Sequence, residues 1–192
     1  MLIIPSIIIT MLTFPGVIIH ELSHQIFCFL RRVPVLEVRY FQPKNPAGYV
    51  IHEASDNPFT NFIISIGPFI INTLVGALLV LPASVELSEF GLLDSIRNNN
   101  IDAAAFRHLF PTMLVAWLGI SVLMHAFPSI GDAKILVSSI LKNKDVNLFI
   151  RILVSPVVGL IYLGSIGSVI WLDLGYALLI TFLLPKLIGL FL

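Results

Sequence analysis

The sequence predicts an all-α integral membrane protein, a bundle of about five transmembrane helices with a short β-hairpin at the cytoplasmic face after the first span. Three observations carry this expectation. Of 192 residues, 57% are hydrophobic and 11% charged, with a mean hydropathy of +0.99, far from the balance of a water-soluble domain. Crossing a bilayer takes about 20 apolar residues per helix, and five stretches offer them, roughly 2–30, 60–82, 108–128, 149–171 and 174–192. One β-rich segment lies between the first two.

The first stretch is too long for a single upright span, since 30 residues would cover about 45 Å against about 30 Å of hydrocarbon. Pro15-Gly16 is expected to kink or interrupt it just before His20. It lacks the basic n-region and small-residue cleavage site of a secretory signal, so it is expected to remain in the mature protein. Next come two β-rich runs, PVLEVRYF (34–41) and AGYVIHE (47–53), flanking a Pro/Gly/Asn turn cluster, which together predict a hairpin over 35–53. Asp173 and Gly175 mark a turn between the last two stretches. With no internal repeat or low-complexity tract, residues 1–192 read as one membrane-embedded domain, a motif-bearing core at 15–135 followed by two C-terminal spans in 149–192.

Charge in the loops orients these spans. Arg31, Arg32, Arg39 and Lys44 follow the first span, and Lys134, Lys142, Lys144 and Arg151 follow the third. The 83–107 loop instead carries Glu86, Glu89, Asp94 and Asp102 beside Arg97 and Arg107. The positive-inside rule then places loops 31–59 and 133–148 in the cytoplasm and loop 83–107 on the opposite side. Overall, 11 Lys+Arg balance 11 Asp+Glu, which leaves no basic stripe for nucleic acid. The expected surroundings are the lipid bilayer.

Residues 14–30 read FPGVIIHELSHQIFCFL, an HExxH pattern inside an oily run. On a helix His20 and His24 lie one turn apart on one face, able to share a cation, with Glu21 beside them. Zinc accepts two neutral imidazoles, leaves a position for water and lowers that water's pKa to about 7, while a glutamate relays the proton to a leaving amine. Random placement of this chain's five His and five Glu would produce the pattern about 0.003 times. Two His and a Glu within a span cost several kcal/mol unless paired or metal-bound, and no Lys or Arg lies on that span. The single cysteine, Cys28, excludes a Cys-rich metal site, so the ligands must be His and carboxylate.

A catalytic site needs a third protein ligand. Asp132 at the end of the third span, Glu53 after the hairpin and Asp173 at the last turn are the acids in apolar context. Asp132 is preferred because its span runs towards the face that His24 approaches, whereas Asp173 falls on the other side. Glu53, His52 and His125 remain alternatives.

Three stretches, HELSH (20–24), IGPFIIN (66–72) and HAFPSIGDA (125–133), together resemble the site-two protease family of intramembrane zinc metalloproteases. That family's pattern is HExxH on one core helix, Gly-Pro-x-x-x-Asn on or near the next, and an Asn/Pro-rich stretch ending in Leu-Asp-Gly. Here the last motif is Gly131-Asp132-Ala133, with His125 near the place of the family's upstream asparagine and Pro128 one residue closer to the aspartate. The resemblance implies one zinc per chain held by His20, His24 and Asp132, with Glu21 as catalytic acid and base. It also implies Asn72, and more distantly His125, as substrate-binding residues, and the 35–53 hairpin as the docking edge for an unwound membrane-protein substrate. The chain would be a divergent, minimal core without a soluble regulatory domain. Gly67-Pro68, like Pro15-Gly16, would supply a break that opens a hydrated cavity.

The expected function is therefore hydrolysis of a peptide bond in or near a substrate's transmembrane segment, close to the cytoplasmic face. The alternative is a non-hydrolytic metal-binding membrane protein, a sensor or transporter, which would have no need of Glu21. Plainer roles stand beside the site assignments. Asn72 serves equally as an inter-helix hydrogen bonder and His125 as a core histidine, Gly164 and Ser168 as packing positions, and Cys28 as an apolar filler.

Overall fold

A computed structural model describes residues 6–89 and 103–189. They form α1 (Ser6–Leu12), α2 (Phe14–Leu30), β1 (Val35–Arg39), β2 (Tyr49–His52), α3 (Pro58–Glu89) and α4 (Ala103–Met124). After these come α5 (Ile130–Leu136), continued by a π-helical turn (Val137–Leu141), then α6 (Leu148–Gly167) and α7 (Leu172–Gly189). The protein is mostly helical with one small antiparallel sheet.

The first apolar stretch is interrupted as expected, at Thr13 just ahead of Pro15, which lacks the N–H to continue α1 and sits in the first turn of α2, where no partner is needed. His20 therefore lies in an uninterrupted helix. Several boundaries differ from expectation, each for a local reason. Gly67-Pro68 makes no break, since α3 runs through Pro68 and Pro82. Gly67 instead receives the Phe27 ring of α2, which a Cβ there would strike. The third stretch ends at Met124 with a tightened last turn, in which His125 and Ala126 N–H donate to Val122 and Leu123 carbonyls. Pro128 discourages continuation. Asp132 thus belongs to α5, not to the end of the third span.

The last turn falls at Trp171, whose φ of 65° is left-handed, and Asp173 and Gly175 are already inside α7. The 83–107 loop is narrower than expected, because α3 extends to Glu89 and α4 begins at Ala103; positions 90–102, with Asp94, Arg97 and Asp102, lie outside the described residues. The 133–148 loop is largely taken up by α5 and its π-helical turn.

Two described helices, Pro58–Glu86 and Leu148–Gly167, are long and apolar enough to cross a membrane, and the apolar run Leu109–Met124 is shorter. The helix lengths therefore give two full spans among the described residues where five stretches were expected. The distribution of polarity is informative. Leu78, Leu148, Phe149, Leu160, Ile170 and Phe182 point outward, while Ser23, Asn72 and Ser121 are fully buried.

The hairpin forms within the expected segment, pairing Val38 with Val50 and Arg39 with Tyr49. A Schellman closure ends α2, with Val33 N–H donating to the Cys28 carbonyl and Arg32 left-handed at φ 56°. Tyr40 hydroxyl then donates to Gln25 Oε1, tying the hairpin back to α2. Phe69, Phe127 and Tyr176 pack ring to ring, and Tyr176 hydroxyl pairs with Thr73 Oγ1 at 2.8 Å.

At the centre Asn72 of α3 joins three segments. Its amide nitrogen, with two hydrogens to share, faces the His125 carbonyl at 2.9 Å and those of Gly16 and Val122 at 3.3 Å each, and Ser23 Oγ, which donates to the Ile19 carbonyl, lies 3.4 Å from its Oδ1. The approach is close: a Cβ on Gly16 would run into the Ser121 carbonyl oxygen. Replacing Asn72 by Ala strands these carbonyls without adding volume, and is expected to lower stability in detergent by about 1–3 kcal/mol, read as a shifted unfolding midpoint.

Candidate metal centre

Polar groups inside a helical bundle need partners, and those of the HELSH turn find them on neighbouring segments. His20 Nδ1–H donates to the His125 carbonyl at 2.7 Å, and His24 Nδ1–H donates to the Ile64 carbonyl at 3.1 Å. A carbonyl can only accept, so in both neutral rings the proton sits on Nδ1 and the lone pair on Nε2. Both imidazoles are thereby oriented with the ligating nitrogen free, the arrangement that outer hydrogen bonds give metal-bound histidines.

Asp132 reaches the same point from α5. Ser129 caps this helix: Asp132 N–H donates to Ser129 Oγ at 3.1 Å, while Ser129 N–H and Oγ–H donate to Asp132 Oδ2 at 3.1 and 2.6 Å. The capping box holds the carboxylate against His24, with Nε2 and Oδ2 3.4 Å apart. One ligand atom each from His20, His24 and Asp132 lies within 4.8 Å of the others.

These three donors converge electron pairs, and neither Lys nor Arg lines the cavity around them. Such a set is stabilised by a cation among its members or by a proton on His24 Nε2 facing Asp132. Ligands 2.0–2.1 Å from a tetrahedral ion stand about 3.4 Å apart, which is the His24 to Asp132 separation. Two imidazole nitrogens and a carboxylate oxygen with an open fourth side suit a catalytic zinc, so the residues fit the metal.

Glu21 is buried beside the ligands and lines both cavities that meet there, of about 340 and 220 Å³. The turn before β2 packs directly on it. A Cβ on Gly48 would lie 2.7 Å from Glu21 Cγ, so only glycine lets the hairpin approach so closely. The smaller cavity is bordered by Gly48, Tyr49, Val50 and His52, which puts β2 alongside the ligand cluster.

The structure thus brings His20, Glu21, His24 and Asp132 together. Glu53 is exposed and His52 borders the cavity without joining the cluster. Asn72 lies behind the ligands, bonded to backbone and not lining either cavity. His125 does line the larger cavity, with Nδ1–H donating to the Ser121 carbonyl at 3.0 Å. Asp173, expected on the far side from the ligands, lines that same cavity. The sequence reading missed Ser129 and Gly48. Ser129-x-x-Asp132 carries the capping-box pattern and could have been found; nothing local announces Gly48.

No protein-family model, curated protein or solved structure matches the chain, so the functional reading stands on this geometry.

Asp132→Ala should abolish stoichiometric metal in purified protein while leaving membrane insertion intact. Ser129→Ala, which removes only the support, should weaken metal affinity by about 10- to 100-fold, read by competition with a chelator.

Proposed function

We propose that the chain is an intramembrane zinc metalloendopeptidase, which hydrolyses a peptide bond in or near a transmembrane segment of a membrane-protein substrate, near the cytoplasmic face. The observation that carries this is the convergence of His20, His24 and Asp132 into one donor cluster with Glu21 buried at its side. It agrees with the resemblance to site-two proteases.

When bound, zinc supplies Lewis acidity and lowers the pKa of a water to about 7. His20 and His24 hold it through Nε2, and Asp132 through its carboxylate. Glu21 accepts the proton of the attacking water and delivers it to the leaving amine. A conservative Glu21→Gln change keeps the shape and removes the base. A metal sensor or transporter would have ligands but no use for a buried, unpaired carboxylate beside them.

The surrounding fold supports a membrane setting. Five crossings, the broken first stretch and the short α4 included, would put loops 31–59 and 133–148 in the cytoplasm. A bundle with apolar side chains outside and Asn, Ser and Thr inside suits a hydrocarbon solvent. In that solvent a helical substrate hides its scissile bond within its own hydrogen bonds, so it must locally unwind. The hairpin at 35–53 offers it replacement backbone partners: the substrate segment adds to the β2 edge beside the ligands. His125, on the larger cavity, is then placed against substrate. Asn72 contributes by fixing the His125 carbonyl that orients His20.

Glu21→Gln protein should keep its zinc and lose cleavage of membrane-protein substrates by about 10²- to 10⁴-fold, compared as fragment accumulation in cells carrying either chain. Unchanged fragments with zinc retained would remove the peptidase reading. For topology, single cysteines at Asn99 and Asn143 should label from opposite sides of the membrane, the native Cys28 being fully buried. Labelling from one side would overturn the span order.

A further inference from the structure

The larger cavity does not end at the ligands. Besides His20 and Glu21 it is lined by apolar Val17, Met124 and Phe127 and by a second polar group, Ser165, Ser168 and Asp173. Nothing in the hydrolysis step uses that second group.

Its chemistry is one-sided. Ser165 Oγ–H donates to the Pro128 and Ile161 carbonyls at 2.7 and 2.8 Å, and Ser168 Oγ–H to the Ser165 carbonyl at 3.0 Å. Each hydroxyl hydrogen is spent on backbone, so these side chains can offer an occupant only lone pairs. Asp173 Oδ1 accepts from Leu174 N–H at 2.9 Å, the ordinary use of an Asp in a first helical turn, but that bond engages one oxygen of the carboxylate. No Lys, Arg or His forms an ion pair with Asp173 among the described residues, and neither Lys nor Arg lines the cavity.

A matching occupant must supply N–H donors and positive charge at the tip of an apolar stem. Lys and Arg side chains have this form. At about 340 Å³, the cavity has room for a side chain and not for a helix.

We propose that this part of the cavity is a specificity pocket in which Asp173 receives a Lys or Arg side chain of the membrane peptide whose backbone lies at the ligand cluster. The proposal rests on the peptidase reading for its substrate. The pocket selects peptides with one basic residue at a fixed distance from the scissile bond.

The test uses full-length Glu21→Gln protein in lipid nanodiscs and dye-labelled, N-acetylated Leu/Ala peptides of about 24 residues. Each carries a single Lys, scanned through every position, or norleucine in its place. At one register the Lys peptide should bind about tenfold more tightly than its norleucine twin, and Asp173→Asn should erase the difference. Asp173→Lys should transfer the preference to a Glu peptide at the same register. Protein with intact Glu21 should cleave that Lys peptide with about tenfold higher kcat/KM than the norleucine one.

A Lys preference that survives Asp173→Asn would overturn the pocket, as would an equal loss for both peptides, which marks a merely structural Asp173. So would a preference that emerges only when the N-terminus is freed from its acetyl group. Cleavage of Lys and norleucine peptides alike at every register would overturn the pocket and leave the peptidase standing. Conversely, Asp173-dependent binding without cleavage by the Glu21 protein would sustain the pocket and remove the peptidase.

Discussion

The carbonyl of His125 is the point on which the rest of this structure depends. It lies just past the end of α4, where a helix leaves its last carbonyls without partners. Two side chains converge on it, His20 Nδ1–H at 2.7 Å and Asn72 Nδ2–H at 2.9 Å. One donor comes from α2 and the other from α3. A single backbone oxygen therefore sets the distance between three helices and the orientation of a ligand ring. In a low-dielectric interior, leaving such an acceptor unmet would be expensive, so the three helices are held to one arrangement.

The same logic extends to the other ligands. His24 is oriented by the Ile64 carbonyl, which leaves its Nε2 free, and Asp132 by the Ser129 cap, whose donors hold the same Oδ2 that faces His24. Without those partners a histidine could turn either nitrogen to the site. Convergence of three electron-pair donors is unfavourable by itself, and the outer hydrogen bonds to the His125 and Ile64 carbonyls and from Ser129 hold the group in place. A cation, or a proton between His24 and Asp132, would resolve the repulsion that remains.

Around this centre the hairpin and the cavities divide the tasks. Gly48 lets the hairpin press on Glu21, which brings an open strand edge to the ligand cluster. The larger cavity leads away from the centre to Asp173, at the start of α7. The two C-terminal helices supply the far wall and the polar end of the space that borders Glu21. Tyr176, packed on Phe69 and Phe127, holds α7 in that place.

Much of the centre was legible in the chain. Helical periodicity alone puts His20 and His24 on one face, and Pro, Gly and Asn around residues 42–48 announce the hairpin. The apolar runs predict helices because, of the helix and closed barrel that satisfy their own backbone in hydrocarbon, only the helix uses runs of about 20 apolar residues. Asp132 could be preferred from the order of motifs, yet its union with His24 required α5 to fold back after Pro128. Other features were invisible because they depend on which segments meet. Asn72 turns its amide to backbone because three carbonyls surround it, and Gly48 matters because Glu21 stands opposite. Asp173 shares a cavity with His20 because α7 packs beside α3 and α4. Local residue patterns determined the helices, the turns and the helix face that carries His20 and His24; tertiary packing decided which buried polar atoms share partners, since a hydrogen bond between distant segments leaves no periodic trace in sequence.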